Sequence, residues 1–193
     1  MSPLSNAARL WLLGQARAAV EAASRGEAFS PPAPPPELPV ADREDLSQPR
    51  AAFVSIHNKD RLRGCVGRVN FDVPLFRVVG EMAHAAAHED ARFRPVAPDE
   101  VGDLNLEISL LSPLFPIRPD QVKAGVHGLL VRRGLQKGLL LPQVARDQDW
   151  DADRLVKETC RKAGLPADAC QHGATLEAFT AEVIAETEQV RSG

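Results

Sequence analysis

Cysteine is scarce in this chain, and tyrosine is absent. The three cysteines, Cys65, Cys160 and Cys170, show no paired spacing, so a disulfide framework of the secreted kind is excluded. Neither C-x-x-C nor H-E-x-x-H occurs, and no dedicated structural metal site is expected. Aromatic residues make up only 5% of the 193, and the net charge is −3. Interleaved basic and aromatic residues of the sort that grip nucleic acid are therefore missing, and no partner of that class is expected. Long apolar runs are missing as well. Leu10-Trp11-Leu12-Leu13, between Arg9 and Arg17, is far shorter than a membrane span or a signal core. The expected location is cytoplasmic, with no membrane partner.

A hydrophobic share of 44% and a charged share of 25% describe an ordinary globular chain. A chain of this length buries roughly 70% of its unfolded surface, enough for a core without staples. Ser5 or Asn6 can cap a helix over 5–24, with Leu10, Leu13, Arg17 and Val20 at helical spacing. The prolines of 30–39 preclude helix and central strand, so this stretch reads as a stiff connector lying over the domain surface, ahead of a main body from 48 to 193. Residues 52–57 and 62–69 form a predicted hairpin around Asn58, Lys59 and Asp60. A helix is expected from Pro74 to His88, burying Leu75, Val78, Val79, Met82 and Ala86. Apolar and polar residues alternate over 104–110, a half-buried strand. Further strands are expected at 126–132 and 137–141 around Gly134, then a helix from Asp151 to near Gly164. Residues 175–186 fit helix or strand. Strands and helices mix without regular β-α-β alternation, which favours an α+β fold with a mostly antiparallel sheet.

Leu62-Arg63-Gly64-Cys65-Val66-Gly67 is the most informative stretch. Glycine packs nothing but lets a ligand or another backbone come close, so a cysteine set among glycines reads as a presented thiol. In a regular strand Arg63 and Cys65 share a face about 7 Å apart. A cation there favours the nucleophilic thiolate, while desolvation opposes it. Lys59 and Arg61 have the same parity, and Arg68 lies just beyond. Together they read as a basic stripe suited to a phosphate or carboxylate, or as charges decorating an exposed turn. A nucleophile wants a base, and the sequence offers five histidines, His57, His84, His88, His127 and His172. Asp90 and Arg92 read as an ion pair pinning the segment before Phe93. His84 and His88 stand four apart on one helical face with Glu81, a spacing that can hold a metal but that also fits a solvated stripe, the reading adopted. Cys160 and Cys170, ten apart, read as bystanders.

The hexapeptide resembles the L-R-G-C-[IV]-G signature of the AMMECR-one domain family, whose bacterial members are called AmmeMemoRadiSam system protein A. Further matches follow in the family's order: Asp90-Ala91-Arg92-Phe93-Arg94-Pro95-Val96, Leu106-Glu107-Ile108-Ser109-Leu110-Leu111-Ser112-Pro113, His127-Gly128-Leu129, Gly138-Leu139-Leu140-Leu141-Pro142-Gln143-Val144-Ala145 and Lys162-Ala163-Gly164-Leu165. Ala91 stands where the family usually has proline, and Cys170 where an aromatic is common. The resemblance implies a single domain of two lobes, α+β with an antiparallel sheet flanked by helices and a cleft between the lobes. It also implies Memo-like and radical S-adenosylmethionine proteins as partners. Two functions are carried forward. One is a small-ligand site lined by Arg63, Gly64, Gly67, Asp90 and Arg92, with Cys65 and His127 as catalytic candidates and no cofactor or metal. The other is a non-catalytic accessory protein that docks onto those partners.

Overall fold

The computed structural model describes residues 4–59 and 61–186; of the expected hairpin turn, Asp60 lies outside them. The chain divides into two compact units, one of residues up to Leu110 with the return from Val183, the other Leu111–Glu182.

In the first unit, helix α1 (Asn6–Ser24) is capped by Ser5, whose hydroxyl accepts the amide of Ala8. Its buried face is set by Leu12, Leu13, Ala16, Ala19, Val20 and Ala23. Leu10 was expected on that face but is exposed, because the alanine-rich stripe fits closer to the neighbouring helix. The proline connector crosses the surface of this unit: Pro31 lies against Gly80, and the carbonyl of Pro32 accepts from Gln15. A short helix α2 (Val40–Ser47) follows, anchored by buried Leu46.

Strands β1 (Ala52–Asn58) and β2 (Arg61–Arg68) form the hairpin, and helix α3 (Leu75–His88) packs on both. After a 3₁₀ turn come β3 (Leu104–Leu111) and, from the far end of the chain, β8 (Ala181–Ala185); the strand order is β2-β1-β3-β8. Val54, Ile56, Leu106 and Ile108 point to the helices and form the core with Leu75, Val78 and Val79. The alternate residues of the strands therefore line the opposite face.

The second unit holds β4 (Phe115–Pro116), β5 (Gly128–Arg133), β6 (Gln136–Leu140) and β7 (Thr175–Phe179), antiparallel in the order β4-β7-β5-β6. Residues 175–186, compatible with either state in sequence, are mainly strand. Helix α4 (Pro142–Asp147) and helix α5 (Ala152–Lys162) complete the unit. Asp151 caps α5 by accepting the amide of Arg154 at 2.7 Å. Gly138 lets the end of α5 settle on β6, since a Cβ there would lie 2.4 Å from the amide nitrogen of Ala163. The result is an α+β fold of two antiparallel sheets flanked by helices. Among the described residues, no helix is long and apolar enough to cross a membrane.

Candidate functional site

The hairpin starts in simple register, with Asn58 opposite Arg61 and His57 opposite Leu62. Continued without interruption, that register would set Gly64 against Ser55 and Cys65 against Val54, on the core face. It does not continue. The register shifts by one between Ile56 and His57, so that Ile56 faces Gly64 and Ser55 faces Cys65. Arg63 is the extra residue of a β-bulge. Because strand side chains alternate, a shift of one exchanges the faces of everything beyond it. Cys65 thereby joins Phe53, Ser55 and His57 on the face turned away from the helices.

Gly64 takes the core side instead, and its missing side chain is structural. A Cβ at Gly64 would lie 2.2 Å from the carbonyl oxygen of Ala86, so the close approach it permits is that of helix α3. Gly67 is covered by the ring of Phe53, its cross-strand partner, which a Cβ would meet at 2.1 Å. Both glycines of the hexapeptide therefore admit parts of the protein itself.

The bulge is tied down by ionic contacts. Arg63 donates to Glu100 at 2.6 Å, to the carbonyl of Arg94 at 2.7 Å and to that of Pro95 at 3.1 Å. Burial pushes the Glu100 carboxyl up, but the Arg63 hydrogen bond, the Ala97 backbone and the charges of Arg63 and Arg94 together outweigh it and hold the group below its ordinary value. Of the two readings of the basic residues, the structure favours charges on the turn over a stripe toward the thiol. Past the bulge, Arg61 falls on the face of Asn58 and Ile56, opposite to Cys65, and Arg68 pairs with Asp72 at 2.9 Å.

Asp90 and Arg92 form the ion pair expected of them, and its reach is longer than local. β2 is an edge strand, and the backbone of Cys65 faces outward from that edge. The Asp90 carboxylate accepts the amide of Cys65 at 2.8 Å, and Arg92 donates to the carbonyl of Cys65 at 3.1 Å. A carboxylate and a guanidinium thus stand where a further strand would pair, blunting the edge. They are joined to each other at 2.6 Å. The Asp90 carboxyl is lowered to about 2, chiefly by the Arg92 hydrogen bond, against burial and with help from the Cys65 amide. Arg92 is raised, first by the hydrogen bond to Asp90, against burial and with help from the Asp90 charge. Its guanidinium lies over the Phe93 ring, 5.3 Å from the centroid.

On this face Ser55, itself buried, donates its hydroxyl to the half-buried Cys65 sulfur at 3.2 Å. Ser55 also stands opposite Glu107 on β3, so thiol, hydroxyl and carboxylate form one cross-strand row. His57 and Asn105 make up the next row. Sequence reasoning missed Ser55 and Glu107 because the bulge that aligns them with Cys65 has no local signature. Glu107 does lie in one of the quoted motifs, and that was the available signal.

His127 belongs to the second unit. Its ring meets Phe115 edge-on at 5.8 Å, and its Nδ1 accepts the amide of Lys123 at 3.2 Å. Burial, then the charge of Lys123, push its pKa below the ordinary value. His84, on α3, contacts the carbonyl of Glu27 at 2.9 Å. Among the described residues no cluster of three or more metal-ligating side chains occurs.

A model of the AMMECR1 family matches residues 13–184. The chain belongs to the AMMECR1 family. Similar chains include a protein of Methanothermobacter thermautotrophicus, 40% identical over 86% of this chain and 88% of its own length. Another, from Thermococcus gammatolerans, is 36% identical over 91% of this chain and 89% of its own. The crystal structure of the uncharacterized protein PH0010 from Pyrococcus horikoshii superposes with a TM-score of 0.84 at 32% identity, covering 93% of this chain and 92% of that one. The match therefore extends over both units of the AMMECR1 fold.

Proposed function

We propose that the sheet face of the first unit turned away from its helices is a small-molecule site at which the half-buried Cys65 acts as a nucleophile toward an electrophilic carbonyl. The observation that carries this reading is the Ser55 hydroxyl donating to the Cys65 sulfur at 3.2 Å, while Asp90 and Arg92 hold the backbone amide and carbonyl of that same residue. A donor on the sulfur supports its anionic form, and a fixed backbone holds the sulfur in one place. The cations expected to attract an anion are already engaged, Arg63 with Glu100 and Arg92 with Asp90. With those cations engaged, the site suits an uncharged acyl donor better than a phosphate or carboxylate.

In the reaction, Cys65 loses its proton to water and the thiolate attacks the carbonyl carbon. A carbon–sulfur bond forms, and the leaving group departs with its electron pair, leaving an acyl group on Cys65. The test uses p-nitrophenyl acetate as a generic donor, with mass spectrometry of the folded protein. Acetyl on Cys65, lost in Cys65→Ala and reduced in Ser55→Ala, is the expected result. Acetylation confined to lysines, or a Cys65 that reacts only after unfolding, refutes the reading.

A further inference from the structure

The second unit contains a feature that lies outside this reading. Helix α5 ends at Lys162 with Ala163 as its C-cap, and Gly164, with φ of +71°, reverses the chain. The amide of Leu165 bonds back to the carbonyl of Cys160 at 2.9 Å, and the amide of Ala169 to that of Pro166 at 3.0 Å. This tight return folds Cys170 over the last turn of α5. The sulfurs of Cys160 and Cys170, expected to be bystanders, sit 3.6 Å apart. Cys160 is fully buried, whereas Cys170 is partly exposed and lines a cavity of about 370 Å³ together with Val122, Val156, Lys157 and Gln171.

We propose that Cys160 and Cys170 form a redox-active dithiol, which a low-molecular-weight disulfide entering the cavity converts into an intramolecular disulfide. Bonding requires the sulfurs to close by only ~1.5 Å, from contact to the S–S bond length. Access divides the roles. The Cys170 thiolate attacks one sulfur of the small disulfide, whose S–S bond breaks and releases a first thiolate. The Cys160 thiolate then attacks the Cys170 sulfur and expels the second. Two protein thiols are oxidised and one small disulfide is reduced to two thiols, which take up the two protons.

Burial and the neighbouring Cys160 push the Cys170 thiol up to about 12. Thiolate is therefore rare at neutral pH, and the exchange is slow there, accelerating roughly tenfold per pH unit. The pair would follow the standing balance of its surroundings and ignore brief oxidant pulses.

The test incubates the reduced full chain with oxidised glutathione between about pH 7 and pH 9 and maps the products by intact and peptide mass spectrometry. The expected product has lost two hydrogens, with Cys160 linked to Cys170, at a rate that climbs with pH as above. Cys160→Ser should halt at a stable glutathione adduct on Cys170. Should that core variant fail to fold, Cys170→Ser at the partly exposed position serves instead, and it should leave Cys160 unmodified. A lasting glutathione adduct on Cys170 in the unaltered protein overturns the proposal. So does a folded protein in which neither thiol reacts across the pH range.

Discussion

Replacing Asp90 by asparagine removes the charge of a carboxylate that is almost enclosed, its side chain being only 6% exposed. The carboxyl drops from its ordinary 3.8 to about 2 in the folded protein. At 1.36 kcal/mol per pH unit, the ionised form contributes about 2 kcal/mol to stability at neutral pH. For a domain of this size that corresponds to a fall of roughly 4–8 °C in Tm. The sign follows from the direction of the shift. A carboxyl with a depressed folded value contributes fully above its unfolded value and loses the contribution as pH falls toward the folded one. Thermal melts of Asp90→Asn and the unaltered protein should therefore differ most near pH 7, and the gap should shrink by about half near pH 3. Equal melting at pH 7 would show that Asp90 does not anchor the edge of β2. A gap that stays constant with pH would show that the loss is one of shape rather than charge.

Three further outcomes follow from close contacts and titration. Gly64→Ala places a methyl against the Ala86 carbonyl, which the α3 backbone cannot easily yield, so a loss of about 1–3 kcal/mol is expected in urea unfolding. Gly67→Ala should cost less, because the Phe53 ring it meets is only partly buried and can swing away; the reverse order would contradict the packing described. For His127, burial and Lys123 lower the pKa, so its imidazole should titrate by NMR with a midpoint below 6.5. The unfolded chain then binds the proton more readily, and this residue's effect on stability declines as pH drops below 6.5. A midpoint at or above that value refutes it.

Much of the fold is legible in the sequence alone. The alternation of 104–110, the cap at Asp151 and the apolar spacing of 75–86 each mark an element, because period and capping are local properties of the chain. The hairpin and the loss of helix at the proline connector follow in the same way. Helices α2 and α4 escaped notice because eight and six residues hold too little periodicity to register. The hexapeptide announced a special position at Cys65, but its face depended on a single extra residue. In the simple register, Cys65 would point into the core beside Val54. The bulge at Arg63 sends it to the other side, and the bulge is held by Glu100 and by carbonyls of Arg94 and Pro95, more than thirty residues away in sequence. Likewise Asp90 and Arg92 are visible as a charged pair, yet only folding brings them to the edge of β2. The contact between Cys160 and Cys170 also had to wait for tertiary structure, since the tight return after Gly164 decides where Cys170 lands. Local spacing fixes which residues can form an element; strand register and the approach of α3 are set by contacts far apart in the chain, and those decided which side chains meet.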